Sequence, residues 1–286
     1  PRSTGSILKP FLYASMLDAG DLLPNTLVAD VPTQFGSYQP ENFNKSYDGA
    51  VFANEALSRS LNVPAVRMLQ DFGLDRFYHY LKQLKLKDLK YNANHYGLSL
   101  VLGGAESNLW DLCKSYAAMA STVNHFNENS SQYFTNEFCQ PIYNSEASID
   151  FGKLNNEKIT IESMKQVNRP EGDNSWEYYD SSKEIAWKTG TSFGFRDAWA
   201  IGTTTDYVVG VWVGNADGEG RPGLVGVQTA APILFDVFDL LPNSNWFAKP
   251  YDEMLEVNIC KKSGYRASPI CDNTELRFIQ ASGKKT

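Results

Sequence analysis

Between residues 5 and 19 the apolar side chains Ile7, Leu8, Phe11, Leu12, Met16 and Leu17 recur three and four apart, the spacing of one helix face, and Gly20 closes the run. Pro10 falls in the opening turn, where its missing N–H matters little. Residues 21–48 are rich in Pro, Asn, Gly and Ser and are predicted to be a long irregular connection. A helix is predicted over 48–57, a break over 58–63, and a second helix from Pro64 to a stop at Gly73. An amphipathic helix with a basic outer face follows over 75–86. Leu109, Leu112, Tyr116 and Met119 predict a buried helix over 107–120.

The pattern then weakens. Residues 122–182 are polar and poorly periodic, which predicts mostly loop with one or two short helices near 159–167. After that the period changes to that of strands. Residues 184–191, 197–203 and 207–215 are short runs heavy in Val, Ile, Trp and Thr, separated by close turns, and predict an antiparallel meander. A hydrophobic helix over 228–241 ends at Pro242, and the chain from 250 onward reads as the start of a small β module. Helices first, a meander late and a closing helix predict an α+β fold, with helices packed on an antiparallel sheet.

Composition narrows the functions open to such a fold. The 286 residues carry 26 basic and 33 acidic side chains, a net charge of −7, and the pI is near 5.1. That balance argues against nucleic acid or an anionic bilayer as the main partner. No apolar run reaches the ~18 residues of a membrane span. The chain opens Pro1-Arg2-Ser3 without a Met or a signal peptide, so it reads as a piece of a longer protein. Four cysteines allow three full pairings. Cys260 and Cys271 bracket a short loop and could form a local disulfide or stay reduced. Cys113 reads as a small core residue. No C-x-x-C occurs, and His79, His95 and His125 are scattered, which disfavours zinc and a Ser-His-Asp arrangement.

Three short motifs carry the chemistry. Ser6 and Lys9 stand three apart at the start of the first helix, which puts a hydroxyl and an amine on one face. A serine needs a base to become a nucleophile, and a lysine can be that base only with a lowered pKa. Ser60 and Asn62 form an S-x-N in the break between two helices, where a hydroxyl can relay a proton and an amide can hold a base and a carbonyl. Lys188, Thr189, Gly190 and Thr191 lie on the first strand of the meander. There a cation flanked by hydroxyls suits a carboxylate, and glycine admits a ligand to the backbone. Singly each has a plain structural reading: a helix cap for Ser6 or Ser60, a protected strand edge for Lys188. Copies in the tail, Ser282 with Lys285 and Lys262-Ser263-Gly264, show how common such fragments are.

Their order is more specific. S-x-x-K, then S-x-N, then K-T-G is the motif set of β-lactamases and penicillin-binding proteins. The stretches RSTGSILKPFLY (2–13), SRSLNVPAV (58–66) and WKTGTSFGFRDAWAIG (187–202) resemble the transpeptidase domain of class A penicillin-binding proteins. GFRDAW (194–199) and the SGYR segment (263–266) between Cys260 and Cys271 look most like the 1C branch of that family.

The resemblance implies an N-terminally truncated transpeptidase domain over 1–245 and the beginning of a C-terminal β module over 246–286. It implies Ser6 as the acylated nucleophile attacking a D-Ala-D-Ala carbonyl, Lys9 as its base, and Ser60 and Asn62 as relay and substrate holders. Lys188, with Thr189 and Thr191, would bind the terminal carboxylate and favour a deprotonated Lys9. The backbone N–H groups of Ser6 and Thr191 would form an oxyanion hole. Peptidoglycan stem peptides and β-lactam antibiotics are the implied partners, with no metal or organic cofactor. The implied place is the periplasmic face of a bacterial inner membrane, with the membrane reached only through an upstream anchor. The family's sheet takes strands from upstream of the nucleophile helix. With five residues before Ser6, the meander is expected to show an uncovered apolar edge or face. Two other readings share the motifs. A serine β-lactamase would need a deacylating base, for which Glu157, Glu162 and Glu171 fall in the right interval without a clear motif. A β-lactam sensor or non-turnover cell-wall-binding module would acylate without release.

Overall fold

The computed structural model describes residues 1–128, 155–167 and 183–283. In chain order these form β1 (Arg2–Ser3), α1 (Lys9–Asp18), β2 (Leu27–Asp30), β3 (Gly49–Phe52), α2 (Ala53–Ser58), α3 (Asn62–Phe72), α4 (Leu74–Gln83) and α5 (Ala93–Tyr96). A 3-10 turn over Gly97–Leu102 leads to β4 (Glu106–Ser107), α6 (Leu109–Glu128) and α7 (Asn155–Lys165). Then come β5 (Ala186–Thr191), β6 (Asp197–Thr203), β7 (Val208–Gly214), α8 (Gly226–Leu240), β8 (Met254–Cys260) and β9 (Thr274–Gln280). The architecture is α+β, as the order of periodicities predicts. Most of the polar 122–182 region lies outside the described residues, and with it Cys139 and Glu171. The helix expected near 159–167 is α7.

The meander forms an antiparallel sheet in the order β5-β6-β7. Alternation sorts its side chains. Trp187, Ala200 and Val209, Val211 and Val213 of β7 face Ala230, Ala231, Leu234 and Phe238 of α8. Ala186, Trp199 and Ile201 face the main core, which α1, α6 and α7 share. Both faces are therefore covered, so of the edge or face expected to be bare, neither face is. The outer edge of β7 differs: all seven of its residues are half-exposed, and among the described residues no strand pairs with it.

Several boundaries correct the sequence reading. Helix α1 begins at Lys9, because residues 5–8 form tight turns: Gly5 has φ +53°, and Ile7 N–H donates to the Thr4 carbonyl at 3.1 Å. The 21–48 connection contains β2, and the helix expected over 48–57 divides into β3 and α2. The pairing holds because Val28 and Val51 pack on Ala56 and Leu61, contacts that local pattern does not contain. Helix α6 starts after Ser107, which pairs with Arg2 in a two-residue ladder. It runs on to Glu128, with Val123 still buried.

The tail is the hairpin β8–β9. It docks on the turn after α1: Ile259 and Ile279 cover Leu23, and Gln280 Nε2 donates to the Leu22 carbonyl at 2.6 Å. Cys260 and Cys271 are free thiols at its loop end, and Cys271 Sγ donates to the Asn273 carbonyl at 3.6 Å. The contact with Cys271 lowers the Cys260 thiol to about 7. Cys113 is half-buried against Gly210, and burial pushes its thiol up to about 11.

Candidate active site

The turn that carries Ser6 is stapled from four directions. Thr4 Oγ1 and N–H both donate to the Ala105 carbonyl, and Ser3 Oγ donates to that of Gly103 at 2.7 Å. Trp199 Nε1 donates to the Ser3 carbonyl at 2.8 Å, and Tyr116 OH to that of Ile7 at 2.9 Å. Buried polar groups with partners of this kind define one geometry. Ser6 itself is half-exposed, while Lys9, one turn on, is only 3% exposed.

Strand β5 passes directly over this turn. A Cβ on Gly190 would lie 2.6 Å from the Thr4 carbonyl oxygen and 3.3 Å from Ser6 N. A Cβ on Gly5 would lie 2.6 Å from Thr191 N. Two glycines, one on each side, thus let the main chains of residues 5–6 and 190–191 touch.

The break between α2 and α3 supplies the third side. Leu61 N–H bonds the Ala56 carbonyl and Ser60 N–H that of Leu57, both at 2.9 Å. These two bonds make a Schellman closure of α2, and the left-handed position after the helix, usually glycine, is Ser60 with φ +56°. The turn aims the Ser60 carbonyl and hydroxyl at the two lysines. Lys9 Nζ donates to the Ser60 carbonyl at 2.7 Å, the Leu61 carbonyl at 3.1 Å and Asn62 Oδ1 at 2.7 Å, with Ser60 Oγ at 3.4 Å. Lys188 Nζ donates to Ser60 Oγ at 2.7 Å and to the Thr189 carbonyl at 2.8 Å. One hydroxyl therefore sits between two ammonium groups.

Both ammonium groups are costly. Burial holds Lys9 well below the ordinary lysine value, and the like charge of Lys188 lowers it further. Burial brings Lys188 down to about 7. A buried lysine that readily gives up its proton, one turn along the chain from a half-exposed serine, is the electrostatic setting a general base requires.

Of the five proposed catalytic side chains, hydrogen bonds join Lys9, Ser60, Asn62 and Lys188, and Ser6 stands one turn before Lys9, its carbonyl accepting the Lys9 N–H at 3.3 Å. The hydroxyls of β5 are placed differently. Alternation turns Thr189 and Thr191 away from the face of Lys188, and Thr191 Oγ1 accepts the Gly226 N–H at the start of α8 at 3.0 Å. Lys188 is wholly buried, so a ligand along β5 meets its main chain and the two threonines, with the lysine charge behind. Sequence reasoning missed Tyr116, Trp199 and Asn42. The first two sit inside apolar patterns that do not reveal which ring also donates a hydrogen bond. Asn42 sits in a stretch whose Pro and Asn content says only loop. Among the described residues no His, Cys, Asp and Glu cluster could hold a metal ion, and no helix is long and apolar enough to cross a membrane.

The fold has solved counterparts. Penicillin-binding protein 1A from Haemophilus influenzae aligns with a TM-score of 0.72 at 21% identity, over 99% of this chain and 48% of that one. The PonA1 protein from Mycobacterium tuberculosis, solved in complex with penicillin V, aligns with a TM-score of 0.63 at 20% identity, over 93% of this chain and 74% of that one. In sequence, the chain is 37% identical to penicillin-binding protein 1C of Escherichia coli (strain K12), over 84% of its own length and 30% of that protein's. It is 26% identical to penicillin-binding protein 1A of Aquifex aeolicus (strain VF5), over 98% of this chain and 39% of the relative. It thus spans between three tenths and about two fifths of these relatives. The family described as the penicillin binding protein transpeptidase domain matches residues 1–232, and the chain belongs to that family.

Proposed function

We propose that the chain is a serine D,D-transpeptidase that crosslinks peptidoglycan stem peptides and is acylated by β-lactams. The observation that carries this reading is the pair of buried lysines converging on Ser60 Oγ beside the Ser6 turn. In the first step Ser6 Oγ gives its proton to neutral Lys9 Nζ and attacks the carbonyl carbon of a D-Ala-D-Ala amide. The developing oxyanion is met by the N–H groups of Ser6 and Thr191, whose main chains the two glycines bring together. Collapse breaks the C–N bond, and the departing D-Ala amine takes a proton passed from Lys9 through the Ser60 hydroxyl. This leaves an ester on Ser6 and a neutral Lys9.

An amine of a second stem peptide then attacks the ester. Its proton returns through the same relay, the C–O bond breaks, and Ser6 Oγ is reprotonated. Thr189 and Thr191 hold the donor's carboxylate along β5, with the charge of Lys188 behind them. A β-lactam follows the first step only, because its leaving amine stays tethered. The parent protein would work at the extracytoplasmic face of the inner membrane, and residues 246–286 would begin a C-terminal β module.

Mass spectrometry after exposure to penicillin tests the reading. A stable adduct is expected on the native chain and none on Ser6→Ala. An adduct on both would place the acylation elsewhere. Rapid release from Ser6 would mark a β-lactamase. Glu162, one of the candidate deacylating bases, is engaged with Lys158 and Trp246. A stable adduct without crosslinking of a donor and an amine acceptor would mark a sensor.

A further inference from the structure

We infer that Asn42 is a positioning residue of this site: from the loop between β2 and β3 it fixes the start of α3, and so the placement of Asn62 and Ser60 against Lys9. The inference rests on the transpeptidase reading for its consequence and on hydrogen bonds for its geometry. The first amides of a helix have no acceptor within the helix. In α3 the capping position is Leu61, which has no side-chain oxygen and makes no side-chain cap bond. Asn42 Oδ1 fills that role from twenty residues away, accepting the N–H of Asn62 at 2.9 Å and of Val63 at 3.1 Å.

The other end of the amide is equally committed. Asn42 Nδ2 donates to Asp30 Oδ1 at 2.7 Å and to the Ser46 carbonyl at 2.9 Å. Asp30, 1% exposed at the end of β2, also accepts the Asp48 N–H on Oδ2 at 3.0 Å. All four hydrogen-bonding positions of the Asn42 side chain are therefore used, in a group 2% exposed. The neighbouring Glu41 carbonyl accepts Asn62 Nδ2 at 2.9 Å. That bond orients the Asn62 amide with its oxygen toward Lys9 Nζ. Adjacent residues thus hold the backbone of Asn62 and the face of its side chain. The line from Asp30 through Asn42 and Asn62 to Lys9 has no step longer than 2.9 Å.

Asn42 acts on Lys9 through Asn62, so its loss should slow the acylating step more than it weakens binding. The test measures a labelled penicillin on the native chain, Asn42→Ala and Asn42→Ser, separating the binding constant from the acylation rate constant, with hydrogen exchange of the Asn62 and Val63 amides followed in parallel. In Asn42→Ala the acylation rate constant is expected to fall at least about tenfold with the binding constant within about threefold. The two amides should exchange at least about tenfold faster while those of β5 and β6 stay protected. Asn42→Ser keeps a short cap acceptor and should recover part of both losses. If Asn42→Ala does not fold, Asn42→Ser alone carries the same comparison, with smaller losses of the same sign. An unchanged rate constant per folded molecule, or a loss confined to binding, would overturn the inference. If the native chain takes no label at Ser6, the transpeptidase reading falls separately, and the exchange arm decides the placement: faster exchange at Asn62 and Val63 supports it, and unchanged protection overturns it.

Discussion

Ser60 brings two amines together in a backbone conformation that costs a serine about 1–2 kcal/mol relative to glycine. Glycine is the usual occupant of this position in a Schellman closure, so the serine exchanges some stability for a hydroxyl that bridges Lys9 and Lys188. Two substitutions separate these effects. Ser60→Ala and Ser60→Gly should both lose penicillin acylation, while denaturant titration should find the glycine variant more stable than the alanine variant by about 1 kcal/mol. Lys188 has a thermodynamic signature of its own. Its folded value is about 7 and its ordinary value 10.5, so between these the unfolded chain binds the extra proton. Stability should therefore rise with pH from about 7 towards 10.5, and below about 7 the cost of burying the charge is fully felt. Lys188→Met should reduce that rise in denaturant midpoints measured across the window, leaving the part of the same sign that the lowered Lys9 contributes.

At the scale of elements, the site depends on how closely β5 rides over the turn before α1. Gly190→Ala would place a methyl group against the Thr4 carbonyl and Ile7, contacts of 2.6 and 2.9 Å that the stapled turn cannot yield. Penicillin acylation should drop about a hundredfold while the protein stays folded, because a shift of about an ångström is enough to misalign the attack. These elements were unevenly legible in the sequence. The meander, α1 and the three motifs declare themselves through period and residue type, which are local. Strands β2 and β3 do not: their four residues each persist because Ala56, Leu61 and α3 pack on them, and such support is invisible within a short window. Helix α3 starts two residues before the Pro64 that its own flank suggests, since its cap comes from Asn42. The motif serine at 60 was legible as a residue but not as a strained turn, because nothing in S-x-N announces a positive φ.

For the molecule as a whole, the β8–β9 hairpin is tied to the body by the Ser263 carbonyl, which accepts the Leu27 N–H at 3.0 Å, and by the approach of Gly264 to Asn25. Gly264 has φ +72°, and a Cβ there would fall 1.5 Å from the Asn25 carbonyl oxygen. Gly264→Ala should therefore release this loop, read as faster hydrogen exchange at Leu27 and proteolytic cleavage within 261–273. The substitution should cost about 1–3 kcal/mol of stability.

The Ser6 turn is held by groups from residues 103–116 and from Trp199, the lysines meet on a hydroxyl from residue 60, and β5 closes the top. On the proposed reading, chain segments almost two hundred residues apart would all have to arrive before an antibiotic could react. A covalent penicillin tag on this chain would work as a reporter of completed folding: half-assembled molecules would stay dark, and the bright fraction would count the finished ones.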